Sequence, residues 1–297
     1  MKQEFDKRNS DIKIFVNDGL YNRNDAKISV FDSVVQGGDA VWEGLRVYKE
    51  GILLFDRHLD RMYDSAKALA FENIPEKSTI KTAVFDTLKA NNMFDDAHIR
   101  LTLTRGEKIT SGMDPRLNTN GCGLIVLAEF KSPVYEKSGI SIITSAIRRN
   151  NPQFLDSKIH HNNLLNNIQA KIQANVAGVD DALMLDDNGF VSELNGTNIF
   201  MCKNNIVYTP TTDSCLPGIT REMVIENCRN LKFEIIEKNI SLTDLYSASE
   251  VFTTGTMGEL VPINYIDGRQ IENTGNMFPQ INEQFIESIP DHCHPID

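Results

Sequence analysis

An apolar strand ends, a polar run broken by proline follows, and a second apolar strand begins. The three pieces read GLIVLAEF (123–130), KSPVYEKSG (131–139) and GISIITSAI (139–147). This interruption constrains the fold more than any other feature. Each strand needs apolar partners, and a polar stretch carrying Pro133 continues neither of them. The chain is therefore expected to build two cores. A small N-terminal α/β domain is expected over residues 1–131, a linker over 132–138 and a larger C-terminal domain over 139–297. With 297 residues, 41% of them hydrophobic, there is enough apolar material for both.

Local patterns place elements on either side of the break. IKIFVND (12–18) reads as a strand, and VYKEGILLF (47–55) as a hairpin turning at Glu50-Gly51. In 56–71, Leu59, Met62, Tyr63, Ala66 and Leu69 recur at helical spacing, with Asp56 available as a cap. AHIRLTLTRG (97–106) alternates like a strand. Beyond the break, a helix is expected after Lys158 with its buried stripe at Leu164, Leu165, Ile168, Ile172 and Val176, closing at Gly178. Hairpins are expected over 181–194, around Asp187-Asn188-Gly189, and over 197–210. A helix is expected over 219–231, and 250–263 reads as a strand ending in a Thr/Gly loop. The fold class is α/β (mixed α+β) in two domains.

Several function classes are disfavoured. Net charge is −11 and no Lys/Arg cluster stands out, so nucleic acid and anionic membranes are poor partners and a small molecule is the better one. No apolar run approaches the roughly 18 residues a membrane span needs. The five cysteines are scattered without a CxxC pair, which favours neither disulfides nor a metal site. The opening residues are polar, with no apolar signal core. A cytoplasmic protein is the expectation.

Two segments suit an anion. Leu216-Pro217-Gly218 lead into a helix whose first free amides belong to Ile219 and Thr220, and a helix start offers unpaired N–H groups and partial positive charge. TTGTMG (253–258) is a turn of small hydroxyl residues. The plain alternatives are an ordinary cap and a polar turn. Neither GxGxxG after a strand nor GxxxxGK[ST] occurs, so a dinucleotide or nucleoside triphosphate is not implied. Arg61 lies off its helix's apolar stripe, as a solvated residue or a phosphate partner. Glu193 is an exposed loop carboxylate or a placed acid. Lys158 is a surface lysine or one that does covalent chemistry. A lysine, a phosphate cradle and a separate carboxylate are what pyridoxal 5'-phosphate requires: imine formation, phosphate binding and a protonated ring nitrogen.

WEGLRVY, FDRHLDRMYDSAKAL, AHIRLTLTRG, DALMLDDNGFVSELNGTNIF, YTP…LPGITR and EVFTTGTMGELVPI…DG resemble, in order, the class IV pyridoxal-phosphate aminotransferases. That group includes branched-chain and D-amino-acid aminotransferases, with aminodeoxychorismate lyase as a relative. The resemblance covers roughly residues 12–285 and implies the two-domain, D-amino-acid aminotransferase-like fold. It gives Lys158 the Schiff-base role, in partly buried, cationic surroundings. It gives Arg61 the cofactor phosphate, Glu193 the pyridine nitrogen, and Ile219, Thr220 and Thr256 further phosphate contacts. At least a homodimer is implied.

The substrates implied are an amino acid and a 2-oxo acid. Arg100 matches an arginine in the carboxylate region of the branched-chain enzymes, and Trp42 offers an apolar wall. The D-amino-acid enzymes carry an Arg-x-His pair where this chain has Arg116-Leu117-Asn118. The reading is transamination of a branched-chain or other aliphatic L-amino acid with 2-oxoglutarate. Its alternatives are a D-amino-acid or (R)-amine transaminase, or a lyase of the same family. Three tyrosines of the branched-chain pattern are replaced: Asn163, His98 and Gln36-Gly37 stand in their places, and Met257 follows the TGT threonine. His160 and His161 are expected to be structural.

Overall fold

The computed structural model describes residues 4–296. They form two compact units. The N-terminal unit holds residues 4–132 and takes in two later pieces, 159–163 and 290–296; the C-terminal unit holds 133–158 and 164–289. The linear division expected from Pro133 contained neither return.

The N-terminal unit is an antiparallel sheet backed by two helices. Its strands are β1 (Lys13–Val16), β2 (Gly19–Asn22), β3 (Ala40–Tyr48), β4 (Gly51–Leu53), β5 (Ala97–Thr104) and β6 (Gly123–Phe130). A two-residue strand, Cys293–His294, joins the edge, and the order across the sheet is Cys293–His294, β4, β3, β5, β6, β1, β2. Short helix α1 (Ser33–Gly37) precedes β3, α2 (Phe55–Ala68) follows β4, and α3 (Lys77–Ala90) precedes β5. Alternate residues of β3, β5 and β6 point one way: Leu45, Val47, Ile99, Leu101 and Val126 pack with Leu59 and Met62 of α2 and Ile80, Val84 and Leu88 of α3. The expected stripe of α2 is real, but Asp56 is not its cap. Leu54 occupies that position in a left-handed conformation, and Asp56 lies inside the first turn, 2.6 Å from Lys81 Nζ.

β4 pairs with β3 only at the far end of that strand, Val47 and Tyr48. The near end, 40–42, would leave its backbone groups unpaired along that edge. Residues 160–162 fill it: the Trp42 N–H donates to the His160 carbonyl (2.9 Å) and the Asn162 N–H to the Ala40 carbonyl (2.8 Å). The segment after Lys158 is therefore an added strand-like piece, not the start of a helix.

The C-terminal unit is built on a second sheet. Its strands are β7 (Ile140–Thr144), β8 (Asp181–Leu185), β9 (Val191–Leu194), β10 (Asn198–Lys203), β11 (Ile206–Thr209), β12 (Glu234–Glu237), β13 (Glu250–Gly255), β14 (Glu259–Ile266) and β15 (Arg269–Gln270). The order is β12-β11-β10-β13-β14-β7-β8-β9, with β15 on β14. β7 runs parallel to β8 and β14, and β11 parallel to β12; the other pairs are antiparallel. Both expected hairpins are present. The first turns through Gly189 at φ 86, with the Asp186 carboxylate accepting from the Asn188 and Phe190 amides. The second turns on Asn204 and Asn205, both at positive φ, as a two-residue hairpin of matched twist requires. The Thr/Gly loop of 253–258 joins β13 to β14 as a third hairpin.

The helices of this unit are α4 (Leu165–Ala177), α5 (Ile219–Asn230), α6 (Leu242–Tyr246) and α7 (Met277–Ser288). α4 overturns the expected stripe. Leu165, Ile168, Ile172 and Val176 are exposed, Val176 at 85%. The buried face is Asn167, Ala170 and Ala174, which pack with Ala182 and Met184 of β8. Small side chains bring the helix close to the strand, and Asn167 Nδ2 donates to the Asn195 carbonyl at 2.7 Å. Among the described residues no helix is long and apolar enough to cross a membrane.

Close packing through alanine is testable. Ala174→Leu forces extra methyl groups into the α4–β8 contact and should cost about 1–3 kcal/mol. Urea unfolding should show a lowered midpoint at unchanged slope.

Candidate active site

In the C-terminal unit the polar residues gather around Glu193. It lies within β9, buried, and is not a loop carboxylate. Its Oε1 accepts from Arg149 Nε (2.6 Å) and the Leu216 amide (3.2 Å), and its Oε2 from Asn198 Nδ2 (3.0 Å). Burial pushes the Glu193 carboxyl above the ordinary carboxylate range, opposed by the Arg149 guanidinium and the Leu216 N–H. A further cationic N–H at this carboxylate would favour the ionised form.

Asn198 connects this acid to the start of α5. Its Nδ2 also donates to the Leu216 carbonyl at 2.9 Å, and its Oδ1 lies where a Cβ on Gly218 would fall. Only glycine leaves that space. Gly218 is the N-cap of α5 and offers no side chain, so the first amides, Ile219 and Thr220, have no side-chain cap. Ile219 and Thr220 are both buried. Thr256 is half-buried in the turn after β13, and Met257 follows it, its carbonyl accepting from the Val134 amide at 3.3 Å. The Thr254 hydroxyl and Arg149 Nη1 are buried without a hydrogen-bond partner. Uncapped amides, an unpaired hydroxyl and a fixed carboxylate fit a group with a phosphate at one end and a basic ring nitrogen at the other.

Lys158 ends this unit's first segment. Its side chain is 42% exposed, and its nearest charge is a carboxylate, Asp156 Oδ1 at 3.5 Å. Among the described residues its ion-pair partner is this acid, where cationic surroundings were expected. Asp156 also accepts from the Lys158 amide at 3.0 Å, which fixes the backbone beneath the side chain.

The remaining residues lie in the N-terminal unit. Arg61, on α2, forks onto Glu43 of β3: Nε to Oε1 at 2.9 Å and Nη2 to Oε2 at 2.6 Å. Glu43 is fully buried. His58 Nδ1 is 2.7 Å from its Oε2, and His160 Nδ1 is 3.2 Å from its Oε1. Burial alone would raise this carboxyl, but Arg61, His160 and His58 outweigh it and hold it well below the usual range.

On the opposite face of the same sheet, Arg100 lies over Trp42, its guanidinium carbon 3.8 Å from the ring centroid. It pairs with no carboxylate among the described residues. Gly44, opposite Arg100 in the β3–β5 ladder, makes room for the Trp42 ring and for His98, whose Nε2 is buried without a partner. Among the described residues no group of three or more His, Cys, Asp or Glu side chains is placed to hold a metal ion.

Lys158, Glu193 and Arg61 were candidates from sequence, but what holds the last two was not. Glu43 stood unassigned inside the quoted WEGLRVY, while His58, Arg149 and Asn198 carried no signal of their own. Each becomes visible only through a partner distant in sequence.

Burial pushes His160 down to about 4 and His98 to about 3, from an ordinary 6.5. The folded chain keeps both neutral where the unfolded chain protonates them, so stability falls as pH drops below 6.5. His160 alone should cost on the order of 3 kcal/mol between pH 6.5 and 4. Unfolding midpoints across that window should show the decline. His98→Gln should flatten it by about one proton's slope.

A family model described as "Amino-transferase class IV" matches residues 40–266. The chain is 59% identical over 264 residues to "Branched-chain-amino-acid aminotransferase-like protein 2" of Arabidopsis thaliana; the match takes in 89% of this chain but only 47% of that protein, about half its length. It is 31% identical to a D-alanine aminotransferase of Listeria innocua, covering 96% of this chain and 99% of that one. Among solved structures it resembles the T.th. branched-chain amino acid aminotransferase with pyridoxamine 5'-phosphate, at a TM-score of 0.89 and 29% identity, covering 97% and 99% of the two chains. The chain belongs to the class IV aminotransferase family, and its fold is the two-sheet, mixed α/β fold of that family.

Proposed function

We propose that this chain is a pyridoxal-phosphate-dependent transaminase that moves the α-amino group of a branched-chain or other aliphatic L-amino acid to 2-oxoglutarate. The observation that carries the reading is the Glu193 carboxylate, buried and held by Arg149, Asn198 and the Leu216 amide beside an uncapped helix start. When bound, pyridoxal phosphate supplies an aldehyde for the amino group and a ring that draws electrons from Cα.

The chain's own residues do the rest. Glu193 holds a proton on the ring nitrogen, which makes the ring a stronger electron acceptor. The Ile219 and Thr220 amides and the Thr256 hydroxyl bind phosphate, as does Arg61. Lys158 Nζ takes the amine role and moves the proton at the substrate Cα. Arg100 binds a substrate carboxylate; its charge has an aromatic face beneath it and, among the described residues, no acid beside it, which suits a dicarboxylate such as 2-oxoglutarate. Trp42 forms an apolar wall, with His98 and Met257 the further substrate contacts.

The names of the plant relative and of the T.th. structure favour branched-chain donors, and the missing Arg-x-His pair favours L-amino acids. The Listeria relative's name keeps D-alanine as the competing donor. A homodimer belongs to the same proposal, and the exposed apolar face of α4 offers surface for one.

Borohydride reduction of cofactor-loaded protein should attach the cofactor to Lys158 in peptide mapping, and Lys158→Ala should abolish turnover. Label on another lysine would refute the assignment. Glu193→Gln should lower kcat by on the order of a hundredfold, with a smaller loss of cofactor affinity.

L-leucine, L-isoleucine or L-valine with 2-oxoglutarate should be the best pair in a donor screen. Neighbouring aliphatic donors should differ by only about 1–3 kcal/mol in kcat/KM. Faster use of D-alanine or an (R)-amine would move the chain to the competing reading, and release of 4-aminobenzoate from aminodeoxychorismate to the lyase.

A further inference from the structure

The family resemblance gave His160 no role, yet its position is tightly determined. Its carbonyl accepts from the Trp42 amide at 2.9 Å and its amide donates to Ser65 Oγ at 3.1 Å. It sits on the outer edge of β3 at the residues where the strand's two faces carry Trp42 and Glu43. Side chains alternate across a sheet, so these neighbours point to opposite sides. A residue within the sheet reaches only one side. One beside an edge reaches both.

The His160 ring does so. Its centroid is 4.2 Å from that of Trp42, tilted by 39°. Its Nδ1 is 3.2 Å from Glu43 Oε1 and 3.3 Å from Arg61 Nη2. Because Glu43 is ionised, we assign the proton to Nδ1, which then donates to Glu43 and leaves the Arg61 Nη2 contact without a hydrogen bond. On one side the contacts run His160, Glu43, Arg61. On the other they run His160, Trp42, Arg100.

We infer that His160 is a positioning residue that sets both guanidinium groups of this unit, Arg61 through Glu43 and Arg100 through Trp42. The inference rests on the reading above, in which Arg61 takes the cofactor phosphate and Arg100 a substrate carboxylate. The two outputs use different parts of one side chain. The Nδ1–H orients the carboxylate that holds Arg61. The ring face backs the indole that carries Arg100.

Three substitutions separate these parts. His160→Phe keeps a ring and loses the donor; His160→Asn keeps a donor and loses the ring; His160→Ala loses both. Trp42 is the only tryptophan, so its emission reports the ring contact in protein without cofactor. Pyridoxamine phosphate and pyridoxamine, titrated calorimetrically, isolate the phosphate contact as the ratio of their dissociation constants.

His160→Phe should reduce that ratio about tenfold, as loss of a hydrogen bond to a charged group does, while Trp42 emission stays near the parent's. His160→Asn should shift Trp42 emission and raise the KM for 2-oxoglutarate more than it lowers kcat, with the phosphate preference retained. His160→Ala should do both. If His160→Phe and His160→Asn alter all readouts alike, or neither alters any, the inference is wrong. If the parent neither binds pyridoxamine phosphate nor uses 2-oxoglutarate, the proposed function fails instead. The emission shifts still decide the Trp42 contact, and an unshifted His160→Ala would overturn it.

Discussion

Glu43 is an ionised carboxylate with no access to water, and the polar end of the N-terminal unit is organised around that fact. Taking such a group out of water costs several kcal/mol unless donors surround it, and removing one partner of a buried pair typically costs about 3–5 kcal/mol. The group and its donors come from three separate parts of the chain. His58 and Arg61 lie on α2, Glu43 itself on β3, and His160 on the piece that returns after residue 158. The carboxylate thus ties helix to sheet and sheet to returning segment. Glu193 does the equivalent in the C-terminal unit, where it joins β9, β10, Arg149 and the run into α5.

What could be read from the sequence was what local chemistry decides. The turns at Asp187-Asn188-Gly189 and Asn204-Asn205 announce themselves because the residues that tolerate positive φ stand where the chain must reverse. α2 was legible because its apolar spacing matches the face it buries, and α5 because Leu216-Pro217-Gly218 mark its start. Lys158, Glu193 and the α5 start stood out as candidates through the ordered segments that resemble one family.

Pairings across long separations stayed hidden. Arg149 is 44 residues from Glu193, and His160 is 117 from Glu43. No periodicity joins such positions. α4 misled for another reason: its large apolar residues do form a stripe, but alanine gives the closer approach to β8, so the strand took the other face. The returning segment was hidden too, because an edge left open by the shortness of β4 is a property of the folded sheet alone.

Gly218 and Asn198 share one small volume. The carboxamide that steadies Glu193 occupies the space any side chain at 218 would need. These two positions are therefore coupled in what they permit. A lineage that gained alanine or serine at 218 would first have to shrink or remove Asn198, losing a donor to the buried acid on the way. Either change made alone leaves a clash or a lost donor, so each position limits what the other can hold.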